Sequence, residues 1–329
     1  MRTRALGQTG LEISEIVFGA GAVGGAVFNG PLEDRTAVVR RALEGGINWI
    51  DTASSYGNGQ SEENLGRILD ELGASPHLST KVRLAGDDFG DVASAVERSI
   101  DVSLERLRRP SLDLIQLHNR IEAASDPATG AIGVDDVLGA GGVLDGFERA
   151  RERGQVRFFG FTALGELEAL RTLVASGRFD TAQVYHNVLN PSASRPVPPG
   201  TSAYDYGGLL NDAAARGMGV LNIRVLAAGA VAGDARRAGG RPLSPGSDGE
   251  RDLERAERLR AAWEGEPGSM AQRAIRFALD TPGVSGVLVG FANLAQVDEA
   301  IEAASMPPLS EGATRALEAL HASDFGRLG

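Results

Sequence analysis

Two hydrophobic periodicities alternate along most of this chain. Short apolar runs, typical of strands buried on both faces, are each followed by a longer stretch with apolar positions every three or four residues, typical of helices. The predicted strands are Ile16–Phe18, Asn48–Asp51, Leu78–Val82, Leu112–His118, Val156–Thr162, Thr181–Tyr185, Gly219–Val225 and Gly286–Val289. The predicted helices are Asp34–Glu44, Ser61–Leu72, Asp91–Arg108, Val143–Arg153, Leu164–Ser176, Tyr206–Arg216, Ser269–Leu279 and Leu294–Ala303. Strands each followed by a helix predict an α/β fold, a closed (β/α)8 TIM barrel rather than an open sheet.

Two further elements flank this pattern. Arg2–Leu6 and Leu11–Ile13 surround the turn sequence Gln8-Thr9-Gly10 and predict an N-terminal β-hairpin. Ser310–Ala322 predicts an extra C-terminal helix. No composition shift marks a domain boundary, so we expect residues 1–329 to form a single barrel domain.

Three connections are longer than ordinary loops: Asn119–Gly142, Asn190–Tyr204 and Ala227–Gly268. They follow the predicted strands 4, 6 and 7, so all would lie at the C-terminal face, where barrel enzymes build their sites. Within the last, Gly239–Arg255 is rich in glycine, proline, serine and charge, which favours a mobile flap.

Composition excludes several classes of function. A net charge of -11 argues against nucleic acid or an anionic membrane surface as a partner. The chain has no cysteine, which excludes disulfides, thiolate nucleophiles and zinc–thiolate sites. The sequence lacks a signal-peptide core and a bilayer-spanning apolar run, so we expect a cytoplasmic protein.

Polar side chains stand at the ends of three consecutive predicted strands. Asp51 ends strand 2 and Tyr56 follows in its loop, Lys81 lies near the end of strand 3, and His118 closes strand 4. In a closed barrel these side chains can converge. A phenol is a poor acid at neutral pH, a nearby buried ammonium makes it a better one, a carboxylate keeps the ammonium charged, and an imidazole orients a substrate oxygen.

Each of these residues alone has a structural interpretation. A strand-end Asp often caps the next helix, although here Ser61 is predicted as the N-cap of helix 2. A strand Lys often extends to the surface, a strand-end His is often structural, and a loop Tyr often packs. The combination at matching strand ends favours function.

These motifs resemble the aldo-keto reductase family along nearly the whole chain. Asp51-Thr52-Ala53 with Tyr56-Gly57 and Ser61-Glu62, then Thr80-Lys81, then Asp113-Leu114 with Leu117-His118, match the family signature in order and approximate spacing. The resemblance implies NAD(P)H-dependent reduction of a carbonyl, reversible to alcohol oxidation. Carried onto this chain, Tyr56 is the proton donor, Lys81 tunes it, Asp51 pairs with Lys81, and His118 positions the carbonyl; no metal is implied.

Looser matches imply the cofactor contacts. The family's fifth strand normally ends in Ser-Asn, which here reads Thr162-Ala163, and Gln183 fits the glutamine that binds the nicotinamide carboxamide. Ile223 takes the position often aromatic, and Arg224 with the backbone near Leu226 and Gly229 are candidates for the pyrophosphate. A structural ion pair is an equally good interpretation of Arg224.

Glycine-rich and strand-8 segments complete the predicted cofactor site. The turn Gly19–Gly25 is interpreted as a close approach of backbone to a ligand or neighbour rather than a dinucleotide fingerprint, and Gly21 is its candidate cofactor contact. Gly290, Asn293 and Gln296 resemble the adenosine-binding segment. No Arg or Lys occurs from Pro282 to Ala300 to hold a 2′-phosphate, and Ala300 replaces the usual Asn, so NADP is expected by family habit with NAD as the alternative.

Two other functions remain open at this stage. A barrel that binds nucleotide as a regulatory or scaffold subunit would keep the fold without useful turnover. A barrel isomerase or lyase would need metal or Schiff-base chemistry, for which only four histidines are available. The leading prediction is an oxidoreductase acting on a small carbonyl or alcohol such as an aldehyde, ketone or sugar.

Overall fold

Eight parallel strands close into a barrel at the centre of the molecule. A computed structural model describes residues 1–21, 24–233 and 248–328. The barrel strands follow one another in chain order, and the last pairs with the first. They are β3 (Ile16–Gly19), β4 (Trp49–Asp51), β5 (His77–Val82), β6 (Leu112–Leu117), β9 (Val156–Thr162), β10 (Thr181–Tyr185), β11 (Gly219–Ile223) and β12 (Val284–Gly290). The (β/α)8 TIM barrel predicted from the sequence is confirmed.

Helices surround the barrel between its strands. They are α1 (Leu32–Glu44), α2 (Gln60–Leu72), α3 (Val92–Leu107), α5 (Val143–Glu152), α6 (Leu167–Ser176), α7 (Leu209–Ala215), α9 (Met270–Leu279) and α10 (Leu294–Ser305), with α11 (Glu311–Ala322) as the predicted C-terminal addition. Their apolar faces pack on the outside of the strands and form the largest apolar cluster of the protein. None of the helices in the described ranges is both long and apolar enough to cross a bilayer.

The N-terminal hairpin closes one end of the barrel. Strands β1 (Thr3–Ala5) and β2 (Glu12–Ser14) pair antiparallel, as predicted. Leu6 and Ile13 are fully buried against the lowest layer of side chains inside the barrel, which includes Trp49, Leu114 and Leu221. The N-terminal face is therefore sealed by hydrocarbon, and polar groups inside the barrel can meet solvent only at the other face.

The predicted flap Gly239–Arg255 is partly wrong. Residues 239–247 lie outside the described residues, but residues from Gly249 onward form helix α8 (Gly249–Ala262). The Asp248 carboxylate caps it by accepting the backbone N–H groups of Glu250 and Arg251. Arg255 is buried on this helix, so its inward face carries charge, and a search for apolar periodicity does not detect it.

The first long loop also contains regular structure that the sequence did not predict. Within Asn119–Gly142, β7 (Arg120–Glu122) and β8 (Ala131–Gly133) form a small parallel sheet, followed by the short helix α4 (Val134–Leu138). Its core is Ile121 with Ile132, both fully buried. The Asn119 amide ties the insertion to the barrel by bonding to the Leu84 carbonyl at 2.8 Å.

Candidate active site

The barrel interior changes from apolar to polar along its axis. Above the layer that contains Trp49, the next inward positions carry Asp51 on β4, Lys81 on β5, Gln116 on β6 and Gln183 on β10. Lys81 and Gln116 are direct register neighbours across β5 and β6. Side chains two apart on a strand face the same side, so an apolar floor under a polar centre follows from the strand period.

The centre is a buried ion pair. Lys81 Nζ lies 2.5 Å from Asp51 Oδ2 and also donates to the Thr52 carbonyl at 2.6 Å. Each residue is 1% exposed. Burial alone would lower the pKa of Lys81, but the Asp51 carboxylate and the Tyr56 oxygen outweigh burial and hold that pKa above its ordinary value. The ammonium therefore stays charged at neutral pH.

Tyr56 lies at the open side of this pair. Its phenol oxygen is 3.4 Å from Lys81 Nζ, and the same ammonium lies 4.8 Å from the centre of its ring. Gly21 backs the ring, since a Cβ built there would sit 3.5 Å from it. The phenol is half-buried and therefore reachable from the mouth of the barrel.

The loop that carries Tyr56 is held from below by a hydroxyl pair. The Ser61 hydroxyl donates to the Ala20 carbonyl at 2.9 Å and accepts from the Thr52 hydroxyl at 2.7 Å. The prediction of Ser61 as the helix N-cap is wrong, because the N-cap of α2 is Gly59, with φ 93°. Ser61 instead fastens the loop after β4 to the turn after β3.

His118 completes the group from the residue after β6. Its ring meets the Tyr56 ring edge-on with centroids 5.7 Å apart, and its Nδ1 lies 3.4 Å from the Ser55 hydroxyl. Burial, and then the positive charges of Lys81 and Arg83, lower the pKa of His118 well below its ordinary value. The imidazole is therefore neutral at physiological pH, with one N–H available to donate. The structure thus places His118 beside Tyr56 and within the electrostatic influence of Lys81, the partner of Asp51.

The other oxygen of Asp51 is held by residues that the sequence analysis missed. Oδ1 accepts from the Ser79 hydroxyl at 2.7 Å and from the Gln116 amide at 2.9 Å. Trp49 Nε1 donates in turn to Ser79 at 2.9 Å. Strand period could have identified Gln116, which stands two residues before His118, and Ser79, two before Lys81.

Gln183 contacts the same carboxylate. Its Nε2 donates to Asp51 Oδ1 at 2.8 Å, while its Oε1 lies 3.4 Å from the Thr162 hydroxyl on the neighbouring strand. Thr162 and Gln183 are thus adjacent, next to the buried ion pair. A hydroxyl beside an amide oxygen matches the donors and acceptors of a nicotinamide carboxamide, so the residues present fit that group.

The residues after β11 form a tight turn. Ile223 ends the strand, and Arg224 takes the left-handed backbone conformation, with φ 62° and its carbonyl bound by the Asn187 amide. No described residue accepts a hydrogen bond or ion pair from its guanidinium, so the alternative of a structural ion pair is not found in the described ranges. Leu226 precedes a short 3-10 turn, Ala227–Gly229, which ends in the predicted residue Gly229.

The predicted adenosine segment follows β12. Gly290, the last residue of that strand, packs on Gly24 of the turn after β3. Asn293 caps α10 by accepting the Gln296 N–H at 3.1 Å, and the Gln296 side chain accepts the Ala292 N–H at 2.7 Å. Both side chains therefore shape the start of the helix, and their cofactor role stays a prediction.

Comparison with known proteins was made for sequence and for fold. The model of the Aldo/keto reductase family matches residues 15–322. L-galactose dehydrogenase of Arabidopsis thaliana is 30% identical over 320 residues, covering 91% of this chain and 87% of that protein. The aldo-keto reductase AKR11C1 from Bacillus halodurans, in its holo form, aligns with a TM-score of 0.73 at 19% identity, over 98% of this chain and 97% of that one. Glycerol dehydrogenase AKR11B4 from Gluconobacter oxydans aligns with a TM-score of 0.71 at 22% identity, over 97% of this chain and 94% of that one.

Proposed function

The chain belongs to the aldo/keto reductase family, and from that premise we propose that it interconverts a small carbonyl compound and an alcohol with a nicotinamide cofactor. The observation that carries the proposal is the charged Lys81 ammonium, held by Asp51 and 3.4 Å from the Tyr56 oxygen. The group lies at the solvent-facing end of a barrel whose other end is sealed.

Each side chain of the group has a role in moving one proton. Tyr56 gives its hydroxyl proton to the carbonyl oxygen in reduction and takes it back in oxidation. Lys81 stabilises the phenolate that reduction leaves, because a positive charge at this distance in a dry site favours the anion. Asp51 keeps Lys81 charged and in place.

His118 holds the carbonyl rather than moving the proton. Its lowered pKa leaves the imidazole neutral, so it can donate an N–H hydrogen bond to the carbonyl oxygen and keep its own proton. The edge-on contact with Tyr56 keeps the imidazole and the phenol side by side, with their ring centroids 5.7 Å apart. A substrate oxygen bound there would meet two donors.

The cofactor would be held by residues along one side of the mouth. Thr162 and Gln183 suit the carboxamide, and the turn Leu226–Gly229 suits the pyrophosphate, with Gly290, Asn293 and Gln296 towards the adenosine end. Gly21, which backs the Tyr56 ring, would lie at the nicotinamide end. When bound, the nicotinamide supplies or accepts the hydride. NADP is our first candidate because it is the habit of the family. NAD is the second candidate, because Arg41, the arginine paired with α10, already forms an ion pair with Asp298 at 2.7 Å and is not a free cation for a 2′-phosphate.

The first experiment titrates the purified protein with NADPH and NADH by nicotinamide fluorescence, then measures turnover of aldehydes, ketones and sugars by absorbance. We expect binding and turnover. Binding without any turnover would support a regulatory or scaffold barrel instead, and binding of neither cofactor would refute the proposal. At least tenfold tighter NADPH binding supports NADP use, and equal affinities support dual use.

The second experiment removes one oxygen atom. We expect Tyr56→Phe to keep the cofactor dissociation constant and to lose most of kcat, because the ring still packs on Gly21 but the proton donor is gone. Unchanged kcat would remove Tyr56 from the proton-donor role. Tyr204→Phe serves as the matched control, since among the described residues the Tyr204 hydroxyl bonds to the Gly165 carbonyl and the Leu167 N–H, at the start of α6, and not to the catalytic group.

A further inference from the structure

Three neutral donors share one oxygen of the Asp51 carboxylate. Ser79, Gln183 and Gln116 donate to Oδ1 at 2.7, 2.8 and 2.9 Å, whereas Oδ2 accepts, from the part of the chain that the structure describes, only the Lys81 ammonium at 2.5 Å. A carboxylate oxygen offers about two lone-pair positions. Oδ1 therefore has one donor more than it needs, and one of the three can leave without leaving the carboxylate under-bonded.

Packing decides which amide is fixed. Gln116 is fully buried and lies between Lys81 and Gly160 in the barrel register. A Cβ added at Gly160 would come within 3.1 Å of Gln116 Cγ and 2.2 Å of the Thr181 hydroxyl, so strand β9 leaves room for this side chain and little more. Gln183 instead lies beside Thr162, one of the predicted carboxamide contacts.

The Gln116 amide is also a burden to the fold. Its Oε1 is buried and has no hydrogen-bond partner among the described residues. An unpaired buried acceptor destabilises a protein, and a hydrocarbon side chain of the same shape would avoid that cost. An amide that is buried in spite of this cost indicates that its other polar atom, here the Nε2 that donates to Asp51, is required.

We propose that Gln116 is a positioning residue of the reaction. Its amide N–H holds the Asp51 carboxylate turned towards Lys81, and this leaves Gln183 free to turn to the nicotinamide carboxamide. Gln116 thus acts on the phenol only through Asp51 and Lys81, which stands 3.4 Å from the Tyr56 oxygen. This inference rests on the proposed function, because it assigns a role within that reaction.

The test compares Gln116→Met with Gln183→Met, two nearly isosteric changes that remove one donor each from the same oxygen. We expect Gln116→Met to lower kcat roughly 10- to 100-fold, the range for losing a hydrogen bond to a charged group. Its cofactor dissociation constant should stay within about twofold of wild type, and its melting temperature should not fall, because the unpaired Oε1 goes too. Gln183→Met should instead weaken cofactor binding.

The pH profile separates positioning from general damage. In Gln116→Met the Asp51 carboxylate is held less firmly against Lys81, so it opposes the effect of burial less and the pKa of Lys81 falls. The pH above which kcat declines should therefore be lower in Gln116→Met than in wild type. The ionisable groups facing that ammonium are Asp51, Tyr56 and His118. Gln272→Met, which removes a buried amide on α9 that bonds to Ser269, is the matched control and should leave the profile unchanged.

A second variant keeps the test decisive if Gln116→Met does not fold. Gln116→Glu has the same shape, and when protonated it can donate to Asp51, so its kcat relative to wild type should rise as the pH falls. Any one of three results would overturn the inference. Gln116→Met could keep the wild-type kcat and pH profile, or it could lose as much cofactor affinity as Gln183→Met does. The third is a ratio of Gln116→Glu activity to wild-type activity that does not change with pH. Wild-type protein without turnover would instead refute the proposed function, and this inference with it.

Discussion

Removing the ammonium from the barrel centre should destabilise the protein in a way that depends on pH. In Lys81→Met the Asp51 carboxylate keeps its neutral donors but loses the one positive charge that pairs with it among the described residues. Breaking a buried ion pair on one side costs about 3–5 kcal/mol. The cost has a ceiling, because an aspartic acid side chain can escape by taking up a proton, which at pH 7 requires about 4 kcal/mol.

Because protonation of Asp51 limits the loss, the destabilisation of Lys81→Met should depend on pH. In the variant, the folded state favours the neutral carboxyl, so its folded pKa is raised and stability is lost as the pH rises. Each pH unit downward should recover about 1.4 kcal/mol, leaving a destabilisation of about 4 kcal/mol at pH 7 and about 1.5 kcal/mol at pH 5. The double variant Asp51→Asn, Lys81→Met carries neither charge of this pair and should recover most of the loss at pH 7.

Urea unfolding followed by tryptophan fluorescence measures these differences, with each variant compared with wild type at the same pH. Trp49 lies directly under the site and reports its packing. A loss below about 1 kcal/mol at pH 7, or one that is the same at pH 5, would show that water compensates the carboxylate. The description of the pair as dry would then be wrong.

Two further predictions concern the rest of the fold. Burial lowers the pKa of His186 to about 3, so between pH 7 and 5 the unfolded chain binds a proton at this residue and the folded chain does not. The free energy of unfolding should therefore fall by about 2 kcal/mol because of this residue when the pH drops from 7 to 5. In urea unfolding, the stability of His186→Phe should depend on pH by that much less than wild type. An unchanged slope would refute this. Arg255→Met removes the ion-pair partner of the buried Asp324 carboxylate. This change should lower the free energy of unfolding by roughly 3 kcal/mol and speed hydrogen–deuterium exchange at Ser323–Arg327. The control Arg315→Met, which removes one partner of an exposed ion pair, should change stability by less than about 0.5 kcal/mol. Equal effects of the two arginine changes would contradict the difference in burial.

The fold could be predicted from the sequence because its signals are local and repeated. Apolar strand runs alternate with amphipathic helices, and the hairpin around Gln8-Thr9-Gly10 has an ordinary turn composition. The grouping of Asp51, Lys81 and His118 also followed, because parallel barrel strands place their ends on one face. What the structure added there was distance and charge state.

Residues whose role depends on other strands were missed. The strand period shows that Gln116 shares a face with His118, but its bond to Asp51 depends on the barrel register, which no local pattern contains. The sequence pattern does not predict helix α8, because Arg251 and Arg255 interrupt the apolar positions of its buried face, which also holds Ala256 and Leu259. Ser61 has the composition of an N-cap, but its hydroxyl is drawn to the Ala20 carbonyl across the barrel top. In each case a tertiary partner overrode the local preference.

The sealed floor of the barrel separates two tasks that many proteins carry out with the same residues. Rigidity comes from below, where Leu6 and Ile13 fill the end of the barrel, and recognition comes from above, where the long connections meet solvent. Insertions or exchanges in those connections need not reach the charged centre between the two layers. Over evolutionary time such a molecule can therefore acquire new ligand preferences while its proton chemistry is inherited unchanged.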